Sequence, residues 1–315
     1  MYSLLLAIGS FFTFMELNCE NLFDCHHDSL KNDYEYLPTG SKRWTSGKYW
    51  NKVNSIAKVV IACSPSYYND TRLPDLVALC EVENDTVMTA LTKRSLLRNA
   101  RYNYLITNSE DERGIDVALL YRDTFTPICH YPLRVNREKG MRPTRDILYV
   151  NGVMNSRDTL HIFVLHAPSR LGGEMKSRPF RMAVAKRLCE STDSITAINP
   201  DANIIIAGDF NDYAGDAPLS AIEEHNLHDV SKYAKGSHGA KGTYRYKGRW
   251  GSLDHIFVSE AIRLRLHSIY INDLPFLTEE DKKYGGRKPY RTYTGFKYQR
   301  NGFSDHLPLI MNINI

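Results

Sequence analysis

The sequence predicts an α+β sandwich in which two mixed β-sheets pack face to face and helices cover the outside. Three observations carry that expectation. Eight short runs rich in β-branched and aromatic residues are separated by turn signals, and three longer stretches carry helical periodicity. Several runs are also apolar at successive positions, which is the pattern of strands buried on both faces.

In chain order, "FFTFMEL" (11–17) is the first core strand and "YWNKVNSIAKVVIAC" (49–63) the first helix. Strands follow at "DLVALCEV" (75–82), "YNYLIT" (102–107), "IDVALLYR" (115–122) and "LHIFVLHA" (160–167). The helix "KSRPFRMAVAKRLCESTDSIT" (176–196) leads into the strand "NIIIAGDF" (203–210), and the helix "PLSAIEEHN" (218–226) precedes the strands "SLDHIFVS" (252–259) and "LPLIMNINI" (307–315). Polar segments at 25–47 and 273–303 read as long surface loops, and long loops in compact domains often serve function. No Pro/Gly/Ser-rich linker interrupts the chain, so residues 11–315 are expected to form one domain. Residues 1–10 read either as a leading strand or as the remnant of an export signal, because the segment is apolar but has no positive n-region and no A-x-A site. Cytoplasmic and exported locations both stay open.

With 315 residues, 43% hydrophobic and 24% charged, the chain can bury a large core. A net charge of +4 does not establish nucleic-acid binding, but it would not repel a phosphorylated substrate. The apolar N-terminal run is too short to span a membrane, so no stable membrane insertion is expected; a monomer is the expected state. Cys19, Cys25, Cys63, Cys80, Cys129 and Cys189 form no CxxC pair, and most read as buried free thiols.

Polar residues sit at the ends of the apolar strands. In "NIIIAGDFND" the glycine lets the backbone turn, placing Asp209 and Asn211 at the sheet rim while Phe210 points to the core. Glu81, His166, Asp254, Asp305 and His306 stand beside other apolar strands, and "MELNCEN" adds Asn18 and Glu20.

Taken in order, "NCENLFD", "ALCEVEN", "GIDVALLYR", "HAPSR", "GDFND", "SLDH" and "SDHLPL" resemble the endonuclease/exonuclease/phosphatase superfamily, in particular its bacterial members with "NxENLFD" near the start. The resemblance runs from Asn18 to Leu309 and implies a four-layered αββα sandwich. It also implies a phosphoester hydrolase using Mg²⁺ or Mn²⁺, with Glu81, Asn18, Asp305 and Glu20 as the metal set. Such hydrolysis needs a cation at the phosphate, an in-line water and a base for it, and hard oxygen ligands suit these ions. By the same resemblance Asp209 orients or deprotonates the water, Asn211 positions it, and Asp254 holds His306 as an imidazolium beside the phosphorus. His166 is expected at the phosphate with Arg170 nearby, while Arg178 and Arg181 read as a solvated helix start. Cys80 and His255 stand where many members have glutamine, or tyrosine or glutamine; alternation with Glu81 turns Cys80 toward the core. The basic, aromatic loops before Asp254 and Asp305 favour a nucleic-acid phosphodiester as substrate, with a small phosphoester or lipid headgroup as the alternative and a non-enzymatic binding module as a third reading.

Overall fold

A computed structural model of the chain describes residues 11–64 and 72–315, so the expectation for residues 1–10 lies outside the described residues. The first half contains β1 (Phe11–Leu22), α1 (Ser46–Ala62), β2 (Leu76–Val82), α2 (Asp85–Thr89), β3 (Asn103–Ile106), β4 (Asp116–Tyr121), β5 (Phe125–Leu133), β6 (Ile147–Met154) and β7 (Thr159–His166). The second half contains α3 (Glu174–Ile198), β8 (Asn203–Asp209), α4 (Ala217–Glu223), β9 (Leu227–Asp229), the hairpin β10 (Tyr244–Tyr246) and β11 (Arg249–Gly251), and β12 (Asp254–Ser259). After it come α5 (Glu260–Arg263), β13 (Leu266–Ile271), the hairpins β14 (Thr278–Glu280) with β15 (Arg287–Pro289) and β16 (Tyr293–Thr294) with β17 (Lys297–Tyr298), and finally β18 (Leu309–Asn314).

Two six-stranded mixed sheets form the sandwich, with strand orders β13-β18-β1-β2-β4-β3 and β5-β6-β7-β8-β12-β9. Alternation explains the continuous apolar runs. In the second sheet Ile162, Val164, Ile205, Ala207, Ile256 and Val258 join the core shared with the first sheet. Phe163, Leu165, Ile204, Ile206 and Phe257 point the other way, into a second core with Val184, Leu188 and Ile222 of α3 and α4. Each Val, Leu or Ile so buried contributes about 1.5–3 kcal/mol. Ser177, Arg181, Val184, Ala185, Leu188, Cys189 and Thr192 make the buried stripe of α3 at helical spacing. On the far side, α1 buries Tyr49, Lys52, Val53, Ile56, Ala57, Val59 and Val60 over the first sheet.

Each sheet contains one parallel pair, β1 with β2 and β7 with β8, and the other neighbours are antiparallel. The carboxyl ends of a parallel pair share one edge, and an antiparallel neighbour begins at that same edge. The ends of β1, β2, β7 and β8 and the starts of β12 and β18 therefore gather where the sandwich opens. Gly208 is essential to that edge: its φ of 148° favours glycine, and a Cβ there would lie 1.8 Å from the Leu165 carbonyl oxygen.

The two polar segments are more structured than surface loops. Trp44 in the first is fully buried and donates from Nε1 to the Phe23 carbonyl at 3.0 Å. The second folds into its two hairpins and buries Leu277, Tyr293 and Phe303. No disulfide pairs the six cysteines; Cys19, Cys63, Cys80 and Cys189 are buried, and Cys129 is exposed.

Candidate active site

The inward register of the second sheet delivers three polar residues side by side. Ile162–Val164–His166 on β7, Ile205–Ala207–Asp209 on β8 and Val258–Ile256–Asp254 on β12 each step toward the open edge along one face. His166 is directly opposite Asp209, and Asp209 directly opposite Asp254. All three are buried. From the first sheet, Asn18 on β1 donates Nδ2 to Asp209 Oδ2 at 3.0 Å and so ties the two sheets together at this edge. Asn211, at φ 52°, donates its backbone N–H to Asp209 Oδ1 at 2.8 Å and its amide to the Ala167 carbonyl at 3.1 Å. Phe210 between them turns into the second core against Phe257, as the sequence predicts.

The first sheet reaches the same edge through matched irregularities. The β1–β2 register slips between Asn18 and Leu22 and the β2–β4 register between Cys80 and Val82. Glu20, Asn21 and Glu81 take left-handed φ values of 49°, 60° and 59°. Bulges of this kind bend a strand and re-aim its side chains, and strained non-glycine residues cluster at functional sites. Glu81 Oε2 accepts the Asn21 N–H at 2.8 Å, while its Oε1 lies 3.9 Å from His166 Nε2. Cys80 faces inward, with Sγ 3.2 Å from the Leu165 carbonyl oxygen, and burial raises its thiol well above the ordinary range, so it is inert.

His306 joins the row through Asp254. Its Nδ1 is 2.7 Å from Asp254 Oδ2, which also accepts the Thr243 hydroxyl at 2.5 Å. Its Nε2 is 4.0 Å from Asp209 Oδ2. Burial works against the imidazolium, but the charge and hydrogen bond of Asp254, with Asp209 and Asp305 beyond, outweigh it and hold the ring's pKa well above the usual histidine value. His166 has the opposite environment. Burial, reinforced by Arg145, Arg113 and His306, lowers it well below the usual value, so this ring is neutral with Nε2 3.6 Å from Asp209 Oδ2. Burial and then the charge of Asp254 push the Asp209 carboxyl up to about 7.

One cavity of about 390 Å³ opens onto these groups and is lined among others by Asn18, Glu20, Glu81, His166, Asp209, Asn211, Asp305 and His306. Its oxygen donors suit a hard divalent cation. Glu20 is pushed up to about 6 by burial and then by Asp305, so the carboxylates resist ionising together, a cost that a bound cation would relieve. The ligand atoms of Asp209, Asp254 and His306 also lie within 4.8 Å of one another, although Asp254 Oδ2 is already engaged by His306 and Thr243.

Two expectations about arginine need correction. Arg170 does not line the cavity: it pairs with Asp216 at 3.0 Å and Asp212 at 3.6 Å and lies over the Tyr213 ring. Arg181 is not solvated, because its place on the inner stripe of α3 buries it, with Nε 2.7 Å from Asp212 Oδ2. Arg178, half-exposed and paired with Glu174 at 2.8 Å, matches its expected place on the helix surface. Arg181→Ala removes the nearer of the two arginines on buried Asp212, leaving Arg170 at 3.6 Å, and should cost up to about 3 kcal/mol, read as a lower urea midpoint. His255 is structural, held between Asp229 at 2.9 Å and the Asp212 carbonyl at 3.0 Å.

Three residues escape sequence reasoning, and Glu20 takes a role other than the expected one. Arg291, from the segment before Asp305, lines the cavity and bridges Asp305 at 2.6 Å and Glu20 at 3.4 Å. Lys52 of α1 is fully buried, donates to Thr292 Oγ1 at 2.5 Å and to the Phe303 carbonyl, and stands 3.9 Å from Glu20 Oε2. Glu20 Oε2 also accepts the Thr292 N–H at 2.6 Å, so Glu20, expected among metal ligands, is already engaged as the anchor of the 273–303 segment. Glu16, two residues before Asn18, is fully buried with neither carboxylate oxygen hydrogen-bonded; burial, then Asp254 and Asp209, raise it well above the carboxylate range and keep it neutral.

Comparisons with known proteins converge on this architecture. A chain described as an endonuclease/exonuclease/phosphatase family protein from Bacteroides thetaiotaomicron superposes with TM-score 0.60 at 16% identity, covering 97% of this chain and 98% of that one. Truncated TDP2 from Caenorhabditis elegans gives 0.59 at 17% identity, covering 97% and 98%. A mannosyl-6-phosphatase from Bacteroides thetaiotaomicron gives 0.59 at 16% identity, covering 96% and 99%. No curated protein shows significant sequence similarity. The Endonuclease/Exonuclease/phosphatase family model matches residues 13–315, and the chain belongs to that family of phosphoester hydrolases.

Proposed function

We propose that the chain hydrolyses a phosphodiester of nucleic acid by attack of water, with the scissile phosphate held at the open edge of the sandwich. The observation that carries this reading is the cross-strand row His166–Asp209–Asp254 with His306 hydrogen-bonded to Asp254; His166, Asp209 and His306 face one cavity rich in oxygen donors, and Asp254 is buried behind His306. Asp209 accepts a proton from the attacking water; a carboxyl near 7 is a far better base at neutral pH than one at about 3.9. Asn211 fixes the Asp209 carboxylate and keeps one amide hydrogen and Oδ1 for water or phosphate. The His306 imidazolium, oriented by Asp254, stabilises the charge that grows on the phosphoryl oxygens. Neutral His166 donates a hydrogen bond to the phosphate without competing for the base's proton. The P–O bond to water forms as the bond to the leaving oxygen breaks, and solvent supplies the proton of the product alcohol.

Glu81, Asn18 and Asp305 are the residues proposed to hold Mg²⁺ or Mn²⁺. When bound, the cation would neutralise phosphate charge and stabilise the leaving oxygen. Glu81→Gln should raise the Mn²⁺ concentration needed for half-activation about tenfold and be partly rescued by excess metal, as titration calorimetry and turnover against metal would show. Equal metal affinity in wild type and variant would remove Glu81 from the metal set.

The nucleic-acid reading is supported by the basic and aromatic loops that reach the cavity through Tyr244, Arg291 and Tyr293, with Tyr246 and Phe296 exposed beyond them. A sugar phosphomonoester is the second reading, favoured by the full-length structural match to a mannosyl-6-phosphatase and by a cavity large enough for a single sugar phosphate. Release of acid-soluble nucleotides from single-stranded DNA or RNA, stopped by EDTA, supports the first; phosphate release from hexose phosphates alone would replace it with the second. Among the described residues no helix is long and apolar enough to cross a membrane.

A further inference from the structure

A second cavity, about 450 Å³, shares Arg113 and Ser169 with the catalytic one and runs away from it between residues 111–113, 140–145 and 168–180. We propose that this groove is a subsite for the nucleotide adjoining the scissile phosphate of a single-stranded nucleic acid; the inference rests on the hydrolase reading and adds the substrate's length and direction.

Arg113 stands at the junction. Its side chain is 51% exposed, and its Nε is 3.9 Å from Asp111 Oδ1, a carboxylate already engaged by Arg145 at 3.0 Å. The guanidinium therefore keeps most of its charge for an incoming anion, and that charge is felt at His166. Farther out Arg142 is exposed, with Glu112 the other carboxylate among the lining residues. Apolar surface shares the groove with these cations: Phe180, Pro143 and Leu171 line it, and Leu171 projects at 87% exposure. Gly172 and Gly173 follow Leu171 at φ 83° and 114°, with open space where a Cβ would stand, so the tip can adjust to what it meets. Guanidinium groups and apolar side chains in one groove suit a strand whose phosphates meet the cations while its base packs on the apolar surface. A sugar phosphomonoester would fill the catalytic cavity and leave this groove empty.

The test uses a fluorescein-labelled five-residue thymidylate in EDTA, so that binding is read without turnover. Arg142→Ala and Leu171→Asp should each weaken binding about tenfold, and Arg142→Ala should lower the salt slope by about 0.7, one phosphate contact on a single strand. With Mg²⁺ or Mn²⁺, both variants should lower about tenfold the ratio of kcat/KM for the pentanucleotide to that for bis(p-nitrophenyl) phosphate. Identical affinity in wild type and both variants, or binding of anionic lipid vesicles but not of thymidylate, would overturn the subsite. Loss of bis(p-nitrophenyl) phosphate turnover in wild type would overturn the hydrolase reading instead, and the binding arm still decides the groove.

Discussion

Asp209→Asn should lower kcat about 10³-fold, the scale of a lost general base, while Mn²⁺ affinity stays within about twofold of wild type. The amide keeps the side chain's shape and one of the two acceptors that meet Asn18 Nδ2 and the Asn211 N–H, but it cannot take a proton. Wild-type kcat/KM should rise as pH climbs through about 7, because the carboxyl must be ionised to act and burial with Asp254 holds it there. Stability should move in the opposite sense. An acid whose folded pKa lies above its unfolded value resists ionisation in the fold, so stability falls as pH rises from about 4 through about 7. The variant removes that penalty at the cost of one accepted hydrogen bond, so its Tm should fall less between pH 5 and pH 8 than that of wild type. Lost turnover in a variant that still unfolds cooperatively with this flattened pH dependence separates a chemical role from unfolding.

His306→Ala should also cost about 10³-fold in kcat, since it deletes the cation facing the phosphoryl oxygens. Asp254→Asn is the more discriminating change. It leaves the ring in place but removes the charge that chiefly opposes burial, so the imidazolium loses its proton at lower pH. The alkaline limb of the kcat/KM profile should therefore move down by at least one pH unit, and the loss should be smaller at pH 6 than at pH 8. A profile displaced equally at all pH values would mean that Asp254 only packs against the ring.

Much of this centre is legible in the sequence because its residues end strands whose apolar pattern is strong. The run Ile204–Ile205–Ile206 serves two cores in turn, and the same alternation that sends Ile205 and Ala207 inward carries Asp209 to the edge. The strands the sequence hides are those whose pattern is broken. β5 is an edge strand with exposed Ile128 and Tyr131 and with Pro127 and Pro132, which protect an unpaired edge but read as loop. β6 contains Asn151–Gly152, a dipeptide that reads as a turn. At the site, Arg291, Lys52 and Glu16 were invisible for another reason. Their meaning depends on partners far along the chain: Lys52 meets Phe303 across 251 positions, and Glu20 meets Thr292 across 272. A lysine on the apolar face of α1 breaks that helix's pattern, and this mismatch was the one local signal. Arg170 misled because nearness in sequence to His166 suggested nearness in space, whereas the turn before α3 carries it to Asp216.

The central claim is that residues from both sheets form one cation-assisted centre for breaking phosphoester bonds. It is tested most directly by turnover of bis(p-nitrophenyl) phosphate and p-nitrophenyl phosphate by the purified protein with Mg²⁺, Mn²⁺ or EDTA, for wild type, Glu81→Gln, Asp209→Asn and His306→Ala. The account requires metal-dependent release of p-nitrophenol that Asp209→Asn and His306→Ala each abolish and that excess metal partly restores in Glu81→Gln. Release unaffected by EDTA, or equal in wild type and Asp209→Asn, would contradict it.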